Sequence, residues 1–181
     1  MPMSDAVTVE RMASWDESSL DERAELSKAV YPPEEARDWP GRHIEWSRPE
    51  WGVAVRDDER RLVSYAALQL RKATHDSADV VIGGVGGVMT HPDHRGRGHA
   101  QTAMRAALDF FSANRADFGL LVCEDRLIPY YQRLGWAVFD GELVTLQHGQ
   151  PAVFSFNRVM VKDVAGAAPR EGVIDLHGPP W

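Results

Sequence analysis

The sequence predicts an α/β protein of the α+β kind, a central sheet flanked by helices, and three observations predict it. Runs rich in β-formers at Trp51 to Arg56, Arg61 to Lys72, Val80 to Met89 and Phe118 to Cys123 are separated by turn residues. Between Gly98 and Asn114 the apolar residues Ala100, Ala103, Met104, Ala107, Leu108 and Phe111 recur at helical spacing, the stripe of a helix laid on a sheet. The length of 181 residues suits one core and falls short of two ordinary domains, so residues 1–181 read as a single domain with residues 163–181 as its tail.

Taken in order, Val7 to Met12 alternates apolar and polar residues, the pattern of a half-buried strand. A helix follows, capped by Asp16 or Ser18, with Leu20, Ala24, Leu26, Ala29 and Val30 as an imperfect apolar face and Tyr31-Pro32-Pro33 as its stop. The prolines, acids and tryptophans of residues 32–50 predict an irregular lid with short helical pieces, where Trp39, Trp46, His43 and the acids could meet a ligand.

Trp51 to Arg56 and Arg61 to Lys72, joined by Asp57-Asp58-Glu59-Arg60, form an expected antiparallel hairpin. The next strand is interrupted by Gly83, Gly84, Gly86 and Gly87. Such glycines mark either a bulge or close approach of another backbone or ligand, or else a strained bend with no ligand. Beyond the main helix, Leu127 to Leu134 is a short helix closed by Gly135, Trp136 to Phe139 a strand and Ala152 to Val161 a last strand; the tail is rich in Gly, Pro and Ala.

Composition excludes several classes. Hydrophobic residues at 44% and charged residues at 26% are ordinary for a globular chain, and no apolar run approaches a membrane span. Met1 to Glu10 lacks a basic segment followed by an apolar one, so a cytoplasmic location without membrane association is expected. Cys123 is the single cysteine, which rules out an internal disulfide and a Cys-based metal site, and it reads as a small buried hydrophobe. His91 and His94 flank Pro92 without a third ligand, so no metal is expected. A formal net charge of −7 argues against nucleic acid; it suits a cationic partner or serves solubility alone.

The informative segment runs from Val88 to Ala100, a strand, a basic glycine-rich turn and then the main helix. Glycines let successive N–H groups converge, and the helix start adds unpaired donors and partial positive charge, so a pyrophosphate would be cradled by backbone with Arg95 and Arg97 adding charge. A P-loop requires Gly-Lys followed by Ser or Thr, whereas His99 follows Gly98; the three spaced glycines of a dinucleotide fingerprint are missing as well.

Arg95-Gly96-Arg97-Gly98-His99-Ala100 resembles the signature of the GNAT superfamily of acetyl-CoA-dependent N-acetyltransferases: Gln or Arg, two residues, Gly, one residue, then Gly or Ala. Val85-Gly86-Gly87-Val88 upstream and Leu120 to Cys123 followed by Tyr130 to Trp136 downstream extend the resemblance over residues 50–160. The resemblance implies a mixed, mostly antiparallel sheet splayed at its centre, with acetyl-CoA as cofactor, pantetheine along Gly86, Gly87, Val88 and Met89, and pyrophosphate on Arg95 to Ala100. It implies direct attack of an amine on the thioester, an oxyanion held by a backbone N–H of Val88, and Tyr131 as the acid that protonates the departing thiolate.

Many relatives carry a glutamate on the strand before the turn; Gly86 aligns there, leaving Glu124, Glu34, Glu35 or a water chain to take the proton. The glycine-rich strand and the terminal tryptophan are most similar to aminoglycoside 2'-N-acetyltransferases. That likeness implies a cationic acceptor such as an aminoglycoside, met by Glu34, Glu35, Asp38, Asp175 and Trp181 with the C-terminal carboxylate. A polyamine, amino acid or peptide amine, or a non-catalytic acyl-CoA-binding module, are the alternatives. Relatives also suggest a homodimer.

Overall fold

The computed structural model describes residues 6–181. Ten strands form one twisted sheet whose branching point is its third strand. Ala6–Arg11 (β1), Trp51–Arg56 (β2), Leu62–His75 (β3) and Ala78–Thr90 (β4) run antiparallel in sequence. At 14 residues, β3 is long enough to hold β2 along its first half and Val173–Asp175 (β10) along its second, while β4 lines its other edge. Phe118–Cys123 (β5) continues the sheet beside β4, then Arg158–Asp163 (β9) and the two-residue Ala137–Val138 (β6).

Among the described residues two pairings are parallel, β4 with β5 and β10 with Glu142–Gln147 (β7), so the sheet is mixed and mostly antiparallel, as the family resemblance implies. The β4–β5 ladder covers Ile82 to Val85 against Phe118 to Leu121 and then stops. Beyond it β4 runs on to Thr90 and β5 to Cys123 without pairing to each other. That divergence opens the centre of the sheet.

Two faces result from the period-two alternation of the strands. The helix His99–Ala113 (α3) covers one, where Ala103, Met104, Ala107 and Phe111 pack on Val53, Val55, Leu68, Val85 and Leu121. The other is covered in two patches. Trp15, just before Glu17–Val30 (α1), and Leu26 within it lie over Ala54, Tyr65 and Met89, and the tail buries Leu176 and Trp181 with Ile82, Leu120 and Ile174. Asp16 caps α1 by accepting from the Ser19 N–H at 2.8 Å, one of the two caps the sequence offered.

Departures from the sequence reading fall in the last third. Ala152 to Val161 is not one strand: Gln150–Val153 (β8) and β9 are separated at Phe154 to Asn157, and β8 folds back on β7. His148 and Gly149 both have positive φ, 51° and 76°, as the tight turn of that hairpin requires. A histidine at the first position disguised the turn signal. β10 lies inside the tail, three residues whose place is set by pairing with β3 and β7 and not by local propensity. The helix after β5 starts as a 3-10 turn, Asp125–Leu127, before Ile128–Arg133 (α4).

Candidate functional site

The four glycines of β4 have separate causes. Gly83 and Gly84 point to opposite faces; a Cβ on Gly83 would enter the ring of Phe111, and one on Gly84 would enter the indole of Trp181. On Gly86, a Cβ would stand 2.9 Å from the main-chain carbon of Trp181. Gly87 has φ 52° and sits in a register shift: Tyr65 pairs with Met89 and Ala67 with Gly86, so Gly87 and Val88 together face Ala66. This is a bulge at the end of the shared ladder, where strand backbone is freed from regular pairing. The close approach anticipated from the glycines is therefore, at Gly84 and Gly86, made by the chain's own tail.

Past the bulge, β4 leads through the 3-10 turn Pro92–His94 into Arg95 to Gly98 and α3. Gly96 and Gly98 adopt φ 75° and 85°, a left-handed geometry costly for other residues, and nothing lies within 4 Å of a Cβ built on either. The glycines are thus required by backbone shape, and the space before them is open. Arg95 and Arg97 are exposed there, His99 is buried, and Ala100 is half-buried on the first turn. His91, His94 and His99 form a chain of rings at 5.6 and 6.1 Å. Burial and the Arg97 charge lower the His94 pKa. Among the described residues no group of three His, Cys, Asp or Glu side chains could hold a metal ion.

Tyr131 lies under α3's face of the sheet, 7% exposed, beside Cys123 and Trp136. Its place is fixed by the end of α4: the Gly135 N–H donates to Gln132 O and the Trp136 N–H to Tyr131 O, with Gly135 at φ 81°. This Schellman closure explains why Gly135 and Trp136 follow the tyrosine at that spacing. Burial pushes the Tyr131 phenol well above its ordinary value, with Cys123, Tyr130 and Tyr31 adding to the effect. Burial likewise raises the Cys123 thiol, to about 11. Tyr31, at the end of α1, was not singled out from the sequence; it is about half exposed, and its phenol pKa is raised by partial desolvation and by Glu124, against Arg126 and Arg95.

Glu124 follows β5 directly and accepts from Arg126 Nε at 2.6 Å. Together with Asp125 it edges a cleft of about 510 Å³ whose wall is Phe139, Phe154, Phe156, Asn157 and Arg158. Two of those rings are held from behind by the lid. Trp39 and Trp46 stack at 5.8 Å, Trp46 meets Phe154 edge-on at 6.0 Å, and Phe156 meets Trp39 and Trp46 at 5.8 and 6.3 Å. The lid contains the short helix Pro33–Asp38 (α2) and a 3-10 turn, as anticipated, but its tryptophans face the protein's own phenylalanines. Glu34, Glu35 and Asp38 are exposed on α2. None of these three lines the cleft.

The tail is strapped over the sheet. Trp181 Nε1 donates to Leu120 O at 3.1 Å and its ring is 7% exposed. Ser47 donates its N–H to Pro180 O at 2.7 Å and its hydroxyl to Pro179 O at 2.8 Å. Arg71, half-buried, donates to Ser47 Oγ at 2.8 Å and Pro179 O at 3.2 Å, and its guanidinium lies 5.4 Å from the Trp181 ring centre. Asp175 accepts from the His177 N–H at 2.8 Å and is outside the cleft lining. Arg71 and Ser47, lid-to-tail ties made by long-range contact, carry no sequence signal.

The pattern of known proteins agrees with this geometry. The model of the acetyltransferase (GNAT) domain family matches residues 11–139. Among curated proteins no relative matches. In fold, the chain is similar to the GNAT family N-acetyltransferase YhbS of Escherichia coli in complex with CoA, at TM-score 0.66 and 15% identity over 98% of this chain and 92% of that one. It is similar too to an acyl-CoA N-acyltransferase from Pseudomonas aeruginosa, at TM-score 0.59 and 19% identity over 88% and 99%. A third is a GNAT family acetyltransferase from Brucella melitensis in complex with acetyl-CoA, at 0.57 and 13% over 95% and 96%. With a family match across most of its length and a sheet that parts between β4 and β5, the chain belongs to the GNAT acetyltransferase family.

Proposed function

We propose that the protein transfers an acetyl group from acetyl-CoA to a small primary amine by direct attack, without a covalent enzyme intermediate. The observation that carries this reading is the continuity of three features: the left-handed glycine turn at Gly96 and Gly98, the bulge at Gly87 and Val88, and the parting of β4 from β5. The turn holds the diphosphate on the N–H groups of Gly98 to Ala100, aided by Arg95 and Arg97. Pantetheine then follows the Gly87 to Met89 backbone into the opening, and the Val88 N–H donates to the oxyanion. CoA and acetyl-CoA in the E. coli and B. melitensis neighbours are consistent with that route.

Tyr131 protonates the departing thiolate. Like any tyrosine it carries its proton at neutral pH, and its place beside Cys123 at the end of β5 is what supports the role. Glu124 takes the amine proton: Gly86 cannot supply a carboxylate, and Glu124 is the acid that both leaves β5 at the divergence and edges the cleft. The amino-sugar acceptor expected from the sequence draws on Glu34, Glu35, Asp38, Asp175 and Trp181, none of them in the cleft lining. The geometry supports better an amine that enters beside Glu124 and Asp125.

The test is thiol release from acetyl-CoA with a panel of amines. Amine-dependent release, slowed by Tyr131→Phe, supports the reading; CoA binding without release on any amine leaves only the acyl-CoA-binding module.

A further inference from the structure

The three charged residues that line the cleft, Glu124, Asp125 and Arg158, all belong to ion pairs, the first completed by Arg126 from outside the lining. Glu124 is held by Arg126 at 2.6 Å and Asp125 faces Arg158 at 3.7 Å, so the formal charges of these four side chains cancel. A polycation gains little from acids that already have partners, whereas a molecule carrying one ammonium and one carboxylate complements the rim. The two pairs also differ in kind. Glu124 and Arg126 are hydrogen-bonded, but 3.7 Å is too long for a direct hydrogen bond, and the Asp125 and Arg158 side chains are 83% and 55% exposed. A pair of that sort separates at little cost, leaving an acceptor for an ammonium and a planar fork of donors for a carboxylate.

Behind the rim, Phe154 and Phe156 alternate with Ser155 and Asn157 in the lining, and the two rings are already organised. Phe154 and Phe156 are fixed edge-on by Trp39 and Trp46, and Phe139, 4% exposed, backs the same cleft. Rings held at these angles accept a further ring edge-on or offset without having to be ordered on binding.

We propose that the acceptor is a free α-amino acid with an aromatic side chain, its ammonium between Glu124 and Asp125, its carboxylate on Arg158 and its ring against Phe154 and Phe156. The proposal rests on the acetyltransferase reading above. In the reaction the ammonium passes a proton to Glu124 and the nitrogen lone pair forms the C–N bond to the acetyl carbon. The C–S bond breaks and the thiolate takes the Tyr131 proton; the nitrogen's second proton, lost as the amide forms, restores the tyrosine through solvent, and the proton on Glu124 passes to water, giving an N-acetyl amino acid, CoA and one released proton.

Thiol release from acetyl-CoA is followed with the full chain and five amines: L-phenylalanine, L-phenylalaninamide, phenylethylamine, kanamycin and spermidine. L-Phenylalanine should exceed phenylethylamine in kcat/KM by about tenfold or more, the size of one charge-assisted pairing. Arg158→Gln should collapse that ratio through KM for L-phenylalanine. The proposal is overturned if kanamycin or spermidine is the better acceptor, if L-phenylalaninamide matches the free acid, or if Arg158→Gln leaves the ratio intact. Release on other amines but not on L-phenylalanine sinks this proposal alone; binding of CoA with no release on any amine sinks the acetyltransferase reading as well.

Discussion

The indole of Trp181 occupies the space that a side chain on Gly84 would fill, and its Nε1 donates to Leu120 O on the neighbouring strand at 3.1 Å. Tail and parted strands are therefore one packed unit. Gly84→Ala forces the ring off its seat, and overpacking of this kind costs about 1–3 kcal/mol. Trp181→Ala removes a buried indole and costs about 3–5 kcal/mol. The double variant should be less destabilised than the sum, because the methyl enters the vacated space. Urea unfolding of the four proteins measures this, and strict additivity would mean the two residues do not touch.

Arg71 ties that tail to the lid through Ser47 and Pro179. Lysine lacks the planar fork that serves both oxygens while covering a ring. In Arg71→Lys, hydrogen exchange at the Ser47 amide, which donates to Pro180 O, should quicken by about tenfold or more, as expected when a local opening loses roughly 1.4 kcal/mol. An unchanged rate would show that the strap holds without the guanidinium.

The buried tyrosine dictates a pH response. Burial raises the folded-state pKa of Tyr131 above the value of about 10 it has when unfolded, so its contribution to stability is intact below that pH. It is lost as pH rises further, because only the unfolded chain releases the proton. Tyr131→Phe should flatten the fall in stability above pH 10, measured by urea unfolding. It should also lower kcat with little change in acetyl-CoA affinity, and turnover equal to wild type would remove the assigned acid.

Cys123, with its thiol pushed up to about 11 by burial, should not react with a disulfide reagent at pH 8 in the folded protein and should react once urea unfolds it. Rapid labelling of the native protein would contradict the burial.

Much of this arrangement was legible in the sequence for one reason: the residues concerned answer to local backbone rules. Gly96 and Gly98 are needed for left-handed φ, Gly135 for the closure of α4, and the spacing of Ala103, Ala107 and Phe111 for the buried stripe of α3. The remainder is set at a distance. β10 takes its form from pairing with β3 and β7, the aromatic wall joins residues more than a hundred positions apart, and the Arg71 strap depends on where the tail returns. Gly84 and Gly86 lie between these cases. Their need for a close neighbour was readable, but only the folded chain identifies that neighbour as Trp181.

In the proposed route, amides fanned out at Gly96 to Ala100 bind the diphosphate of CoA. Calorimetric titration of CoA into the wild-type protein and Gly98→Val tests it most directly. A Cβ at residue 98 meets nothing within 4 Å, so the variant should fold, at a strain of about 1–2 kcal/mol from its left-handed φ. Wild type should give heat of binding and the variant at least about tenfold weaker affinity, a loss of roughly 1.4 kcal/mol. Absence of heat in the wild type, or equal affinity in the two proteins, would contradict it.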